Sequence, residues 1–443
     1  MDNEFAVKSC KALLVTSWSQ VRKTFVALAG KSGRRCVTLA REVPPFPTVP
    51  STTPPHPTND YSLEITINSR TPRELKFRSF RPHMSDIRTK MITFAVPKRC
   101  STMDFRTLTD IAPLSPRLRH SDKLMVMGSC FATHIGDRLT RMKWQTEVNP
   151  FGVLYNPLSI AGVLTRMVGQ RPFTEEELHE FPDGGWNTWM HHSHYSHPDK
   201  SVALATINSA MERAWRQLAE ADMLIITLGT AWVYRLAETG EVVGNCHKMP
   251  ERQFVRQRLQ VQEIVDVLAT AIRLATDINP KVNVLFTVSP VRHLKDGLHG
   301  NQLSKSALLL AIDELCRAFP ERCHYFPAYE IVMDELRDYR FYAEDMAHPS
   351  AQAVEYVWGQ FVEHCVDHEA RLFMEQWTKI VRALEHRPFQ PESAQYRQFI
   401  LHTASKIDVL KAQYPHIDIS DERYRCLQLA GGQEQSLATT KEE

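Results

Sequence analysis

Four short apolar runs, separated by helix-length amphipathic segments, constrain the fold of this 443-residue chain more than any other feature. The first, residues 124–127, is wholly apolar, and residues 221–228, 282–288 and 323–326 follow. Apolar runs this short, without polar alternation, are expected of strands covered on both faces. The intervening segments 203–218, 252–278 and 302–319 read as helices. In the second, Leu259, Ile264, Val267, Leu268, Ala271, Ile272 and Ala275 share a broad face, and Asn279-Pro280 ends it. Strands alternating with helices imply βαβ units and a mostly parallel sheet with helices on both faces. A last core helix is expected over Ala351–Cys365, and residues 366–430 read as a helical extension.

Composition separates the first hundred residues from the rest. Residues 1–102 carry a charge balance of +10, whereas the remainder carries −8. Residues 44–57 hold seven prolines, a stiff extended segment without a core. This basic stretch is read as disordered or as a non-native leader. An alternative start at Met103 fits the composition break, while Asp2 and Glu4 count against a transit peptide. The tail from residue 431 is expected to be disordered. The acidic balance of the folded part argues against a general nucleic-acid surface. Nine scattered cysteines form no Cys-x-x-Cys pair, which argues against a disulfide framework and points to a reducing cytoplasm. No run is long and apolar enough to span a membrane.

Function concentrates where the apolar runs end. The first stops at Gly128-Ser129-Cys130, after which Phe131, Ile135, Leu139 and Met142 mark one helical face. Cys130 therefore starts a helix, where free N–H groups and the dipole favour a thiolate. Taken alone, Ser129 is equally an N-cap and Cys130 a small buried residue. The other runs end at Gly229-Thr230, at Ser289 to His293, and before Glu330. In open α/β sheets that rim is where ligands bind. Asp345-x-x-His348 stands just ahead of the last core helix, spaced so that the carboxylate can orient the imidazole toward a nucleophile. Gly152, in an Asn149-Pro-Phe-Gly152 turn, can offer an N–H to an oxyanion. Asn245-Cys246-His247-Lys248 is either a substrate contact or a solvent-facing turn. The cluster His191-His192-Ser-His194 fits no helical ligand pair and reads as a loop lining a pocket rather than a metal site.

These motifs, together with Leu228-Gly-Thr-Ala231, Ser289-Pro-Val-Arg-His293 and Arg337-Asp-Tyr-Arg-Phe-Tyr342, resemble those of the GSCFA domain family over roughly residues 103–365. That family looks like a distant branch of the SGNH (GDSL-type) hydrolases. The resemblance implies a three-layer flavodoxin-like α/β fold with a C-terminal helical extension and no cofactor. In register, Cys130 stands at the nucleophile's place and Ser129 where those enzymes carry Asp. Asp345 and His348 match their last block. Gly152 and Gly229 match oxyanion-hole glycines, but Ala231 stands where the third block has Asn, so one donor is missing. Thr230 or Asn245 is the expected substitute, with His247 and His293 as further substrate contacts.

The expected activity is therefore hydrolysis or transfer of an acyl group from a small-molecule or carbohydrate ester, with Cys130 attacking and Ser129 as the lesser nucleophile. A degenerate hydrolase that binds such a ligand without turnover is a second expectation. A metal enzyme using His191, His192, His194, His247 or His293 is a third. A homodimer through the C-terminal helices completes the reading.

Overall fold

The computed structural model describes residues 106–182 and 184–431, together with the backbone of three two- or three-residue strands, Thr38–Leu39, Leu63–Ile65 and Phe77–Arg78, paired antiparallel. The chain divides into two units, Met1–Cys100 and Ser101–Glu443. The Pro-rich segment, the alternative start at Met103 and the tail beyond residue 431 lie outside the described residues.

The second unit is built on one parallel sheet. Its strands are β1 (Lys123–Gly128), β2 (Gln145–Val148), β3 (Met223–Leu228), β4 (Asn283–Val288) and β5 (Cys323–Tyr325). They lie in the order β5-β4-β3-β1-β2, every neighbouring pair parallel. This is the 2-1-3-4-5 order of flavodoxin-like doubly wound sheets, whose connections reverse direction between β1 and β3.

Among the described residues, nine helices of ten or more residues accompany the sheet: α1 (Cys130–Arg141), α2 (Pro157–Val168), α3 (Lys200–Glu220), α4 (Val261–Ile278), α5 (Gly297–Ala318), α6 (Ala351–Cys365), α7 (His368–Glu385), α8 (Ala394–Gln413) and α9 (Ser420–Leu429). Strand residues alternate between the two faces. Met125, Met127, Leu224, Ile226, Val284 and Phe286 pack with α2 to α5 on one side. Leu124, Val126, Met223, Ile225 and Leu285 pack with α1 and α6 on the other. Full burial of each such side chain contributes about 1.5–3 kcal/mol, which is why the apolar runs lie in the middle of three layers.

Two local readings are corrected. The helix expected over 252–278 begins only at Val261, because Phe254–Arg258 pairs antiparallel with Trp232–Leu236, which also pairs with Val242–Val243. Gln260 and Glu263 then start α4 with a capping box. The edge strand β2 was not foreseen. Its sequence, Gln-Thr-Glu-Val, lacks an apolar run because only one long side of it is paired.

Helices α7 to α9 form a third apolar cluster around Trp377, Ile380, Ile400 and Ile407. Trp377 ties it to the sheet layer by donating its indole N–H to the Arg141 carbonyl at the end of α1, 3.0 Å away. No helix among the described residues is long and apolar enough to cross a membrane.

Candidate active site

The turn from β1 into α1 sits at the point where the sheet connections reverse. Gly128 has φ +140°, and a Cβ there would stand 2.2 Å from the Thr227 carbonyl oxygen of β3. Only glycine fits that backbone and that approach. Asn149 holds the turn from the end of β2. Its side-chain oxygen accepts the Gly128 N–H at 2.8 Å, its amide donates to Thr133 Oγ1 at 2.9 Å, and its own N–H donates to the Val126 carbonyl at 2.8 Å. Ser129 is the N-cap of α1 and is buried, its hydroxyl accepting the Phe131 N–H at 3.2 Å. The serine therefore faces into the helix start.

Cys130, one residue on, is half-buried and lines a groove of about 590 Å³. Burial pushes its thiol up. Its own N–H, the Phe131 N–H and the Lys305 ammonium oppose that push, and the Asp345 carboxylate adds to it. Opposite walls of the groove come from Tyr155, His192 and the small antiparallel sheet, which supplies Trp232, Tyr234 and Phe254. Asn245 and Cys246, in the loop between its Val242–Val243 and Phe254–Arg258 strands, also line the groove.

Asp345 and His348 form a closed turn. Asp345 Oδ1 accepts the N–H groups of Ala347 and His348, both at 3.0 Å, and Oδ2 lies 2.5 Å from His348 Nδ1. The His348 N–H, its ring and the Ala347 N–H hold the Asp345 carboxyl down to about 2. Nε2 of His348 is left without a partner among the described residues, and no hydrogen bond joins it to Cys130. His348 is half exposed and lies outside the residues lining the groove. Cys130 feels the Asp345 charge, and His293 feels that of His348, so the two halves of the site share one electrostatic neighbourhood.

The remaining sequence candidates divide sharply. His293 is held neutral by burial, its pKa lowered to about 4, and its ring packs 5.6 Å from that of Tyr155. The Gly152 N–H donates to the Asn149 carbonyl at 2.7 Å, and a Cβ at Gly152 (φ +81°) would stand 2.1 Å from His192 Cβ. Gly229 and Thr230 both donate their N–H groups to the Tyr155 carbonyl, at 2.7 and 3.2 Å. The Thr230 hydroxyl pairs with Ser304 Oγ at 2.9 Å. These three amides and this hydroxyl are thus engaged within the protein, whereas the Cys130 N–H bears on its own sulfur. Asn245 accepts the His247 N–H through Oδ1 at 2.8 Å, leaving its amide nitrogen for the groove. His247 is buried away from it, stacked on Phe181 with centroids 3.9 Å apart and Nε2 3.0 Å from the Thr188 carbonyl.

His191 is a core residue bonded to Thr188 Oγ1 at 2.7 Å, and only His192 of that cluster lines the groove. Among the described residues no three His, Cys, Asp or Glu side chains converge as metal ligands would.

Sequence reading missed the contribution of α5. Asn301, Ser304 and Lys305 are buried at i, i+3 and i+4, on the face continued by Leu308, Ile312 and Leu315. Asn301 Oδ1 accepts the His293 N–H at 3.0 Å, and Ser304 Oγ accepts the Ala231 N–H at 2.7 Å. Lys305 donates to the carbonyls of Gly229 and Ser289, at 2.6 and 2.7 Å. The available signal was a polar stripe interrupting an apolar helical face.

The family model described as the GSCFA family matches residues 123–361, and that described as the GSCFA domain protein, C-terminal domain, matches residues 377–429. The first spans the sheet and both parts of the site. The second spans most of α7 to α9. No curated protein matches the chain.

Proposed function

We propose that this chain, which belongs to the GSCFA family, hydrolyses or transfers the acyl group of an ester by a Cys-His-Asp mechanism like that of the SGNH hydrolases. One observation carries the reading. Cys130 starts a helix at the reversal point of a doubly wound sheet, within electrostatic reach of an Asp345 already bonded to His348.

In this scheme His348 Nε2 takes the proton of the Cys130 thiol, and the thiolate attacks the ester carbonyl carbon. A C–S bond forms, and the carbonyl π pair moves to oxygen. The Cys130 N–H and the Asn245 amide receive that oxyanion. Collapse restores the carbonyl and expels the alkoxide, which takes the proton from His348 Nε2. Water, or an acceptor hydroxyl, then gives a proton to His348 as it attacks the thioester, regenerating the thiol. Asp345 keeps His348 in the tautomer with Nδ1 protonated. The aromatic walls formed by Tyr155, Trp232, Tyr234 and Phe254, with polar groups between them, support a sugar-like alcohol portion. The six described cysteines are all free, which supports action in a reducing, cytoplasmic setting.

The test compares hydrolysis of a short-chain activated ester by wild type, Cys130→Ala, Ser129→Ala and His348→Ala. Cys130→Ala and His348→Ala are expected to lose the activity and Ser129→Ala to retain most of it. Full activity in Cys130→Ala sinks the thiol mechanism.

A second reading, a ligand-binding module without turnover, is favoured by a specific observation. The Gly152, Gly229 and Thr230 amides, which an oxyanion hole would need, already donate inside the protein. It predicts a Cys130 that iodoacetamide leaves unmodified at neutral pH and no turnover of any ester. Reactive thiol or measurable turnover excludes it.

A further inference from the structure

Among the described residues, Lys305 is the one buried lysine or arginine. It is 1% exposed, on the apolar face of α5. Its ammonium donates to two neutral carbonyls, those of Gly229 and Ser289, which stand just past the ends of β3 and β4. No carboxylate accepts from it among the described residues. An ammonium has three donors, so one remains beyond the two carbonyls. A buried charge without a counter-ion is costly, and a protein retains one where another group supplies the opposite charge. The candidate is Cys130: the N–H of Ser129 before it donates to the Thr227 carbonyl at 3.1 Å, two residues ahead of the Gly229 carbonyl that holds Lys305, and ammonium and thiol act on each other electrostatically. The other titratable neighbours do not. His293 is neutral and, if protonated, would repel the ammonium. Tyr329 offers only its ring, 5.7 Å from the ammonium, and Asp345 disfavours the Cys130 anion.

We propose that Lys305 is the counter-ion that sets the ionisation of Cys130, so that the thiolate exists as half of an ammonium–thiolate pair. The proposal rests on Cys130 being the reactive group and makes Lys305 a positioning residue acting through it. It also accounts for a departure from the hydrolase pattern. A buried lysine on α5 supplies a local positive charge where a Gly-x-Asn block, absent here because of Ala231, would have offered a hydrogen-bond donor. Burial brings the Lys305 ammonium down to about 7 and pushes the Cys130 thiol up, and each group opposes the other's shift, so the two titrate as a coupled pair.

The experiment measures alkylation of Cys130 by iodoacetamide against pH, read by peptide mapping so that the other thiols do not contribute. Lys305→Met, similar in volume and neutral, is compared with wild type. The expected result is a midpoint raised by one pH unit or more, which makes alkylation at pH 7 about tenfold slower. A folded variant with an unchanged profile and lower thermal stability would mean that Lys305 merely braces the strand ends, and the proposal would fall. A second measurement needs no variant. Near a fixed cation, wild-type Cys130 should prefer iodoacetate over iodoacetamide by about threefold or more relative to a free peptide thiol, and salt should erode that preference. A ratio equal to the peptide's overturns the proposal. Ester turnover is assayed separately. A Lys305-dependent alkylation profile with no turnover leaves the pair standing and removes the esterase reading. Turnover with an unchanged profile does the reverse.

Discussion

At the scale of single residues, the structure gives different surroundings to two neighbours that the register ranks as nucleophiles. Ser129 caps α1, and Cys130 faces the groove. Ser129→Ala is therefore expected to cost about 1 kcal/mol of stability, as loss of an N-cap does, with little change in turnover; chemical denaturation and kcat/KM measured together check it. Asp345→Asn should lower kcat on the order of 10²–10⁴-fold, because the amide can hold His348 in the wrong tautomer. The sign of the pH effect follows from the Asp345 carboxyl, held at about 2 in the folded protein. Since that lies below the ordinary carboxylate value of about 3.9, the pair with His348 is fully present above pH 4 and is lost as pH falls through 2. A carboxyl-carbon NMR titration of Asp345 should show its midpoint well below 4; one above 4 contradicts the geometry.

At the scale of elements, the nucleophile turn depends on a clamp from a neighbouring strand. Asn149 makes two side-chain hydrogen bonds, to the Gly128 N–H and to Thr133. Asn149→Ala should destabilise the protein by roughly 2–3 kcal/mol, since it leaves the buried Gly128 N–H unpaired, and urea denaturation reads it directly. Gly128→Ala should prevent accumulation of folded protein, because its Cβ would collide with the Thr227 carbonyl. The difference between the two effects also explains what the sequence could disclose. Central strands β1, β3 and β4 were legible because burial on both faces demands unbroken apolar runs, and edge strand β5 because a short run leads from it into Pro327. Edge strand β2 was not, because an edge tolerates Gln145 and Glu147. Asp345 and His348 were legible because their partnership is local, three residues apart. Lys305 was not, since its partners Gly229 and Ser289 are 76 and 16 residues away in the chain. Glycine spacing likewise suggested free amides at Gly152 and Gly229, whereas the acceptors that engage them, Asn149 and Tyr155, are fixed by loop geometry that spacing does not encode.

At the scale of the whole second unit, the C-terminal helices meet the sheet layer through a pair of histidines. His120 Nδ1 lies 2.8 Å from His416 Nε2, and His120 Nε2 lies 2.8 Å from the Met142 carbonyl. Burial lowers the His120 pKa to about 4, below its ordinary value of about 6.5. The unfolded chain therefore binds a proton between pH 6.5 and 4 that the folded one refuses, so stability falls as pH drops through that window, by up to about 3 kcal/mol. Hydrogen exchange at pH 7 and pH 5 should show α7 to α9 losing protection first; equal protection at both values would refute the assignment.

The grip of Trp377 on the last turn of α1 has a consequence for how the protein is made. The indole and the carbonyl it holds are 236 residues apart, and Glu355, which pairs with Arg138 of α1, lies 217 residues downstream of it. At ribosomal rates of about 5–20 residues per second, α1 waits roughly 10–50 s after leaving the ribosome before these partners exist. During that interval its apolar face, Phe131, Ile135 and Leu139, has neither α6 nor α7 to cover it. The helix that carries the thiol is thus completed late in synthesis, and nascent chains are expected to engage chaperones until the C-terminal helices emerge.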